Sequence, residues 1–205
     1  VYSRTSHARK MLFIAPLLVS YSVQMVRVER AVNQTGTYMN CGNAYICAVL
    51  TLQTGLGSGA YSAPQPSVHG LWPETGSYGN SPCIAPSGST ANPTKTYSCY
   101  EDGTGQSQLS FEEHEWTKHG QCADVVDAND YFTQMCNLAS GPLSVMSNTR
   151  SSGATSLSAF GNALSSQGYP VYYLDTYYMQ VELSAYACSS GQWKLAPTSS
   201  FNSVC

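Results

Sequence analysis

The chain has 205 residues, 42% of them hydrophobic and 10% charged, so it is long and apolar enough to bury a full core as one domain. Its formal net charge of −3 hides an asymmetry: five of the nine Lys and Arg residues lie at or before Arg30 and eleven of the twelve acids lie after it, which leaves residues 31–205 at −7. That sign excludes a basic groove for a polyanion, and any nucleic acid would have to be gripped locally instead of steered over a long range.

The first thirty residues stand apart. A basic stretch (Arg4, Arg9, Lys10) precedes a short apolar run over residues 11–19 and small residues at Ser20 and Ser22, the layout of a secretory signal and too short to span a bilayer. Pro16 interrupts the run, so a terminal strand or helix packed on the domain is the alternative. Asn33, in Asn33-Gln34-Thr35, is the one N-x-S/T sequon without an intervening proline and a candidate glycosylation site.

Residues 44–53, "AYICAVLTLQ", are apolar and β-branched and predict a core strand, ended by the glycine-rich "TGLGSG". "PSVHGLWPE" predicts a short strand running into a turn at Gly70 and Pro73. Residues 74–108 are rich in Gly, Ser, Pro and Thr and predict a long irregular stretch holding two cysteines. Ser110 followed by Glu113 has the spacing of a capping box, and Gly120 supplies a stop, so a helix of about ten residues is expected between them. Residues 127–139 and 154–168 are the next helix candidates. The alternating stretch over 170–197, with a Ser-Gly turn, predicts strands and a hairpin. Mixed helix and strand signals with long loops point to a single α+β domain.

The predicted helix "FEEHEWTKHGQC" (111–122) carries the densest chemistry of the chain. His114, Glu115, Lys118 and His119 fall within an arc of about 140° on one helix face, with Phe111 extending the same side. "HEWTKH" is near the zinc-protease pattern HExxH, but its second histidine comes one residue late, which turns the two rings about 140° apart and disfavours a shared metal ion. Acid–base chemistry with electrostatic support remains: a histidine pair can take a proton from a hydroxyl and return one to a leaving oxygen, while Lys118 stabilises charge on a phosphoryl or acyl oxygen. The other histidines are His7, in the candidate signal, and His69, in "VHGLWPE".

Eight cysteines are spread along the chain with no CxxC pair and no metal-ligand spacing. Disulfides fit better than metal, which points to a secreted or lumenal compartment. Spacing alone leaves 105 connectivities open.

"HGLWPE" (69–74) followed some forty residues later by "FEEHEWTKHGQC" resembles the two signature segments of the ribonuclease T2 family, secreted or vacuolar endoribonucleases. The likeness is looser over residues 41–205 as a whole. The resemblance implies an α+β domain with a central antiparallel sheet, flanking helices and disulfide staples. It implies metal-independent cleavage of single-stranded RNA through a 2′,3′-cyclic phosphate, with broad base preference and no cofactor. His119 would be the general base, His69 the general acid, Glu115 and Lys118 the transition-state stabilisers, and His114 a phosphate contact. Trp72, Glu74 and Tyr78 would meet one base, and Gln53 and Phe111 its neighbour; for Trp72 and Phe111 plain core packing is the competing role. The implied bridges are Cys83–Cys122 and Cys188–Cys205, with Cys41–Cys47 and Cys99–Cys136 as the remaining pairs.

Glu112 and Thr54 depart from the pattern, each standing where the family usually has tryptophan. A monomer acting on RNA, not on DNA or a membrane, is expected. An inactive member of the same fold serving as a binding or signalling protein, a metal-dependent hydrolase and a carbohydrate-binding module are the rival readings. Net charge predicts favoured imidazolium forms at both His69 and His119, opposed at His119 by Lys118, and an activity maximum below neutral pH.

Overall fold

The computed structural model describes residues 38–100 and 105–205; the candidate signal segment and Asn33 lie outside them. Its strands are β1 (Ile46–Gln53), β2 (Ser67–Pro73), β3 (Val171–Asp175), β4 (Gln180–Ala187) and β5 (Trp193–Leu195), and its helices are α1 (Gly105–Lys118), α2 (Ala128–Ser151) and α3 (Leu157–Ser166). The strands form one antiparallel sheet in the order β2-β1-β4-β3, with β5 also paired to β4.

Every residue of β1 is buried, because both of its faces are covered. On one face Ile46, Ala48, Leu50 and Leu52 join Val181, Leu183 and Ala185 of β4 beneath the helices, packed with Trp116 of α1, Phe132 and Met135 of α2, and Phe160 and Leu164 of α3. On the other face Cys47 and Val49 join a smaller cluster with Met39, Tyr186 and Phe201. Further along that second face the chain changes character: Thr51 and Gln53 of β1 stand opposite Glu182 and Gln180 of β4. A strand with side chains alternating between faces thus carries an apolar stripe on one side and, at its C-terminal end, a polar floor on the other.

β2 continues through Gly70 to Pro73, so the expected turn at Gly70 is absent. What stands there is a β-bulge: Thr51 pairs with Gly70 and Leu52 with Val68, leaving His69 as the extra residue. The bulge is needed because Val68 and Leu71 both belong to the helix-side core although they are three residues apart, an odd spacing that a regular strand would send to opposite faces.

The helices also differ from expectation. α1 begins at Gly105, so Ser110 lies inside it and is not an N-cap. Its early turns are anchored from outside: the Gln108 amide donates to the Tyr97 carbonyl and to Glu112 Oε1. α1 ends at Lys118, and Gly120 opens a short 3₁₀ turn, where a side chain would strike the Trp116 ring. α2 starts as expected, on an Asp127 cap that accepts the Asp130 N–H while Asp130 accepts the Val126 N–H. It runs twelve residues past 139, to Ser151, through Pro142.

Four disulfides join Cys83 to Cys122 and Cys188 to Cys205, the pairs the family resemblance implies, and Cys41 to Cys47 and Cys99 to Cys136, the pairs then remaining. Cys83–Cys122 pins the long loop after β2 to the turn that follows His119.

Candidate active site

β2 and the C-terminal half of α1 meet above the polar floor of the sheet. The bulge aims His69 into this junction, where its Nδ1 lies 2.6 Å from the Gln180 side-chain nitrogen. With that amide donating, the neutral ring carries its proton on Nε2; with the amide turned over, its oxygen accepts from a protonated Nδ1, so Gln180 serves both forms. His69 Nε2 stands 3.7 Å from Glu115 Oε1.

Glu115 is almost fully buried and its other oxygen, Oε2, accepts the Trp72 indole N–H at 2.8 Å. A side chain at position 70 would occupy the space of this bond, so the glycine in "HGLW" lets Glu115 and Trp72 meet. The Trp72 ring stacks on His119 (5.3 Å between centroids, 27° between planes) and stands edge-on to His69 at 4.9 Å. Trp72 therefore spaces the two histidines and holds the carboxyl between them. His119 is buried too, and Tyr78, half exposed on its 3₁₀ turn, stands 5.0 Å from its ring.

His114 and Lys118 are exposed on the same side of α1 and, among the described residues, their side chains make no hydrogen bond or ion pair. Gln53 and Phe111 line a cavity next to His69 together with Tyr61, Val68, Tyr100 and Gln108. Phe111 does two things at once, packing against the core and facing the His69 ring at 5.3 Å. Glu74 points away from open space: it is buried and accepts the Met39 N–H at 3.1 Å.

The two positions that depart from the family pattern are both polar clamps on buried side chains. Glu112 Oε1 accepts the Tyr97 N–H and the Gln108 amide, tying the loop ahead of α1 to the helix. The Thr54 hydroxyl donates to the Met179 carbonyl and accepts the Leu56 N–H, while the Thr54 carbonyl accepts from Arg150 at 2.7 Å.

Burial sets the protonation chemistry. Desolvation pushes His69 down to about 4, with the His114 charge adding to it and Gln180 and Asp175 opposing it. His119 is pushed down to about 4 by desolvation first, then by His114, His69 and Lys118. The expectation from net charge is thereby reversed, because the loss of water around each ring outweighs the diffuse field of a −7 chain. Desolvation raises Glu115 to about 7 against the Trp72 hydrogen bond, and Glu74 to about 7 against the Met39 N–H. Glu182, on the polar floor, is raised to about 7 by desolvation and then by Asp175 and Glu74.

Gln180, Glu182 and Tyr61 are site residues that sequence reasoning missed. Gln180 and Glu182 sit on the outward phase of an alternating strand, which is visible in the sequence; that this phase faces His69 is a tertiary fact. Among the described residues no group of three His, Cys, Asp or Glu side chains is placed to hold a metal ion.

Comparison with known proteins gives one family. No curated protein and no solved structure matches the chain. The model of the ribonuclease T2 family matches residues 41–155, more than half of the sequence, from the first cysteine of β1's disulfide to just beyond α2 and including both histidine segments. With its antiparallel sheet, flanking helices and four disulfides, the chain belongs to the ribonuclease T2 family, whose members cleave RNA.

Proposed function

We propose that the protein is an endoribonuclease that cleaves single-stranded RNA by transphosphorylation, without a metal ion. The observation that carries this reading is the pair of histidines, one buried and one partly buried, held apart by the Trp72–Glu115 unit, His69 on β2 and His119 at the end of α1. His119, neutral through most of the acidic range, takes the proton of the ribose 2′-hydroxyl. The 2′-oxygen attacks the adjacent phosphorus, and the P–O5′ bond breaks as His69 gives its Nε2 proton to the departing 5′-oxygen. The products are a 2′,3′-cyclic phosphate and a 5′-hydroxyl, and each histidine ends in the other's starting state.

Glu115, still protonated below about 7, can donate to a non-bridging oxygen in the transition state. Lys118 presents its charge, and His114 its ring nitrogens, at the rim, where the phosphate would enter. The cavity lined by Gln53 and Phe111 takes the base on the leaving side, and Tyr78 takes the base beside His119. Aromatic and amide walls of this kind tolerate different bases. Trp72 supports the site from below, and Glu74 acts through the buried Met39 contact. The protein works as a monomer in a secreted or lumenal compartment, where its four disulfides persist.

The test is incubation with single-stranded RNA and DNA of matched sequence in EDTA, with products identified by mass. RNA is expected to give cyclic-phosphate ends at undiminished rate in the chelator, and DNA, lacking the nucleophile, is expected to stay intact. Cleavage of DNA at a comparable rate overturns the reading.

A further inference from the structure

Exposed large apolar side chains are few among the described residues, and two of them, Tyr177 and Tyr178, are consecutive on the β3–β4 turn. Tyr177 is 83% exposed and Tyr178 is 40% exposed, which no packing requirement explains. Single exposed tyrosines are ordinary on a protein surface. These two are not single: Tyr177 meets Tyr178 edge-on at 4.6 Å, Tyr178 lies 4.7 Å from Tyr61, and Tyr61 lies 5.8 Å from His69. An aromatic ladder thus runs from the His69 ring, past the cavity that Tyr61 lines, to open solvent.

The ladder is rigidly mounted. Asp175 Oδ1 accepts the backbone N–H of Tyr177 and of Tyr178, folding the turn over itself. Met179 adopts a left-handed conformation (φ +58°) unusual for its type, and its carbonyl is gripped by both the N–H and the hydroxyl of Thr54. Gly57 carries no side chain where a Cβ would collide with both Tyr61 and the Tyr178 carbonyl, so the two loops close on one another. A preset aromatic surface loses little entropy when a flat ring docks on it.

We propose that Tyr177 and Tyr178 form a stacking subsite for the base of a second nucleotide on the 3′ side of the cleaved bond of single-stranded RNA. The direction rests on the ribonuclease reading above: His69 protonates the leaving 5′-oxygen, so the chain that departs runs from His69 outward, along the ladder and away from His119. Segments 54–66 and 170–182 contain no Lys or Arg, and the Arg150 guanidinium that reaches them is engaged by the Thr54 carbonyl. The subsite therefore holds a base by stacking and not a phosphate by charge.

The experiment uses DNA oligomers with a single ribose, which fixes the cleaved bond, extended by one or two nucleotides on the 3′ side. Adding the second 3′ nucleotide is expected to raise kcat/KM about tenfold, in the range of one stacked base, and that gain is expected to change little with salt. The Tyr177→Ala, Tyr178→Ala double variant is expected to lose the gain while cleaving the shorter substrate as the wild type does, and Tyr177→Trp is expected to keep it. A gain that survives in the double variant, or an equal loss on the shorter substrate, overturns the subsite. A parallel titration with 2′-O-methyl oligomers, which bind but cannot react, separates the two readings. If no substrate is cleaved, the ribonuclease assignment falls, yet tenfold weaker binding by the double variant still upholds the subsite and equal binding rejects it.

Discussion

On the helix side of the sheet Leu50, Leu52, Val181 and Leu183 are fully buried among apolar neighbours, while on the reverse of the same two strands Thr51, Gln53, Gln180 and Glu182 are withdrawn from water with polar groups attached. Both sides exclude solvent, and the outcome differs. Against apolar neighbours, exclusion contributes stability. Around His69, His119, Glu115 and Glu182 it shifts protonation, pulling two imidazoles down to about 4 and two carboxyls up to about 7. One fold thus uses desolvation as glue on one face and as a chemical setting on the other.

The sharpest way to break this comparison is to exchange damage between the faces. His119→Ala and His69→Ala are each expected to lower kcat/KM by about 10² to 10⁴ with little change in the unfolding midpoint, since general acid–base catalysis is of that size. Leu50→Ala is expected to do the reverse, destabilising the fold by about 2 to 5 kcal/mol while the molecules still folded keep near-normal turnover. Steady-state kinetics and denaturant melts on the three variants check both halves. Wild-type turnover in His69→Ala would remove it from the mechanism.

Next in size is pH. The reactive form needs His119 neutral and His69 protonated, and with both pushed down to about 4, raising the pH empties His69 while lowering it fills His119. The kcat/KM profile is expected to peak near about pH 4 to 5 and to fall by up to about tenfold per unit towards neutrality. Bound phosphodiester, being anionic, raises both values, so the kcat profile lies at higher pH than that of kcat/KM. A maximum at or above pH 8 contradicts the assignment of the two histidines.

Trp72→Phe probes the junction between the faces more gently, keeping a ring against His119 and deleting the indole N–H. Glu115 then loses the one bond that favours its charged form and moves further up. A fall in kcat of about tenfold is expected, the size of one buried hydrogen bond. An unchanged kcat would reduce Trp72 to a spacer.

The smallest effect concerns Glu182. Its raised value means that the folded protein holds a proton that the unfolded chain releases between about pH 4.5 and 7, so stability is lost as pH rises through that window. Glu182→Gln is expected to melt like the wild type at pH 4.5 and to be more stable by about 1 kcal/mol at pH 8. Denaturant midpoints at the two pH values decide it.

Much of this was legible before any coordinates. The apolar run of β1, the alternation of β4 and the start of α2 announced themselves, because short-range pattern decides them. The shared face of His114, Glu115, Lys118 and His119 on α1 followed from helical geometry alone, and His69 came in through its signature segment. Local rules failed where a distant contact overrode them. Gln108 reaches back to Tyr97 and carries α1 past a sound-looking cap at Ser110, and α2 accepts Pro142 in a buried stretch. Gln180 lies 111 residues from His69, and nothing in an alternating strand marks one glutamine as a histidine's partner. The role of Trp72 was hidden for the same reason, since its bond to Glu115 spans 43 residues.

The bulge in β2 gives the site an evolutionary liability. Removing His69 by a single-codon deletion would leave Ser67, Val68, Gly70, Leu71 and Trp72 in unbroken alternation, with Val68 and Leu71 still on the core side and an uninterrupted ladder to β1. The lesion that removes the proposed general acid is also the one that regularises the sheet. On the proposed mechanism, a folded chain without its general acid therefore lies a single codon away from the active one.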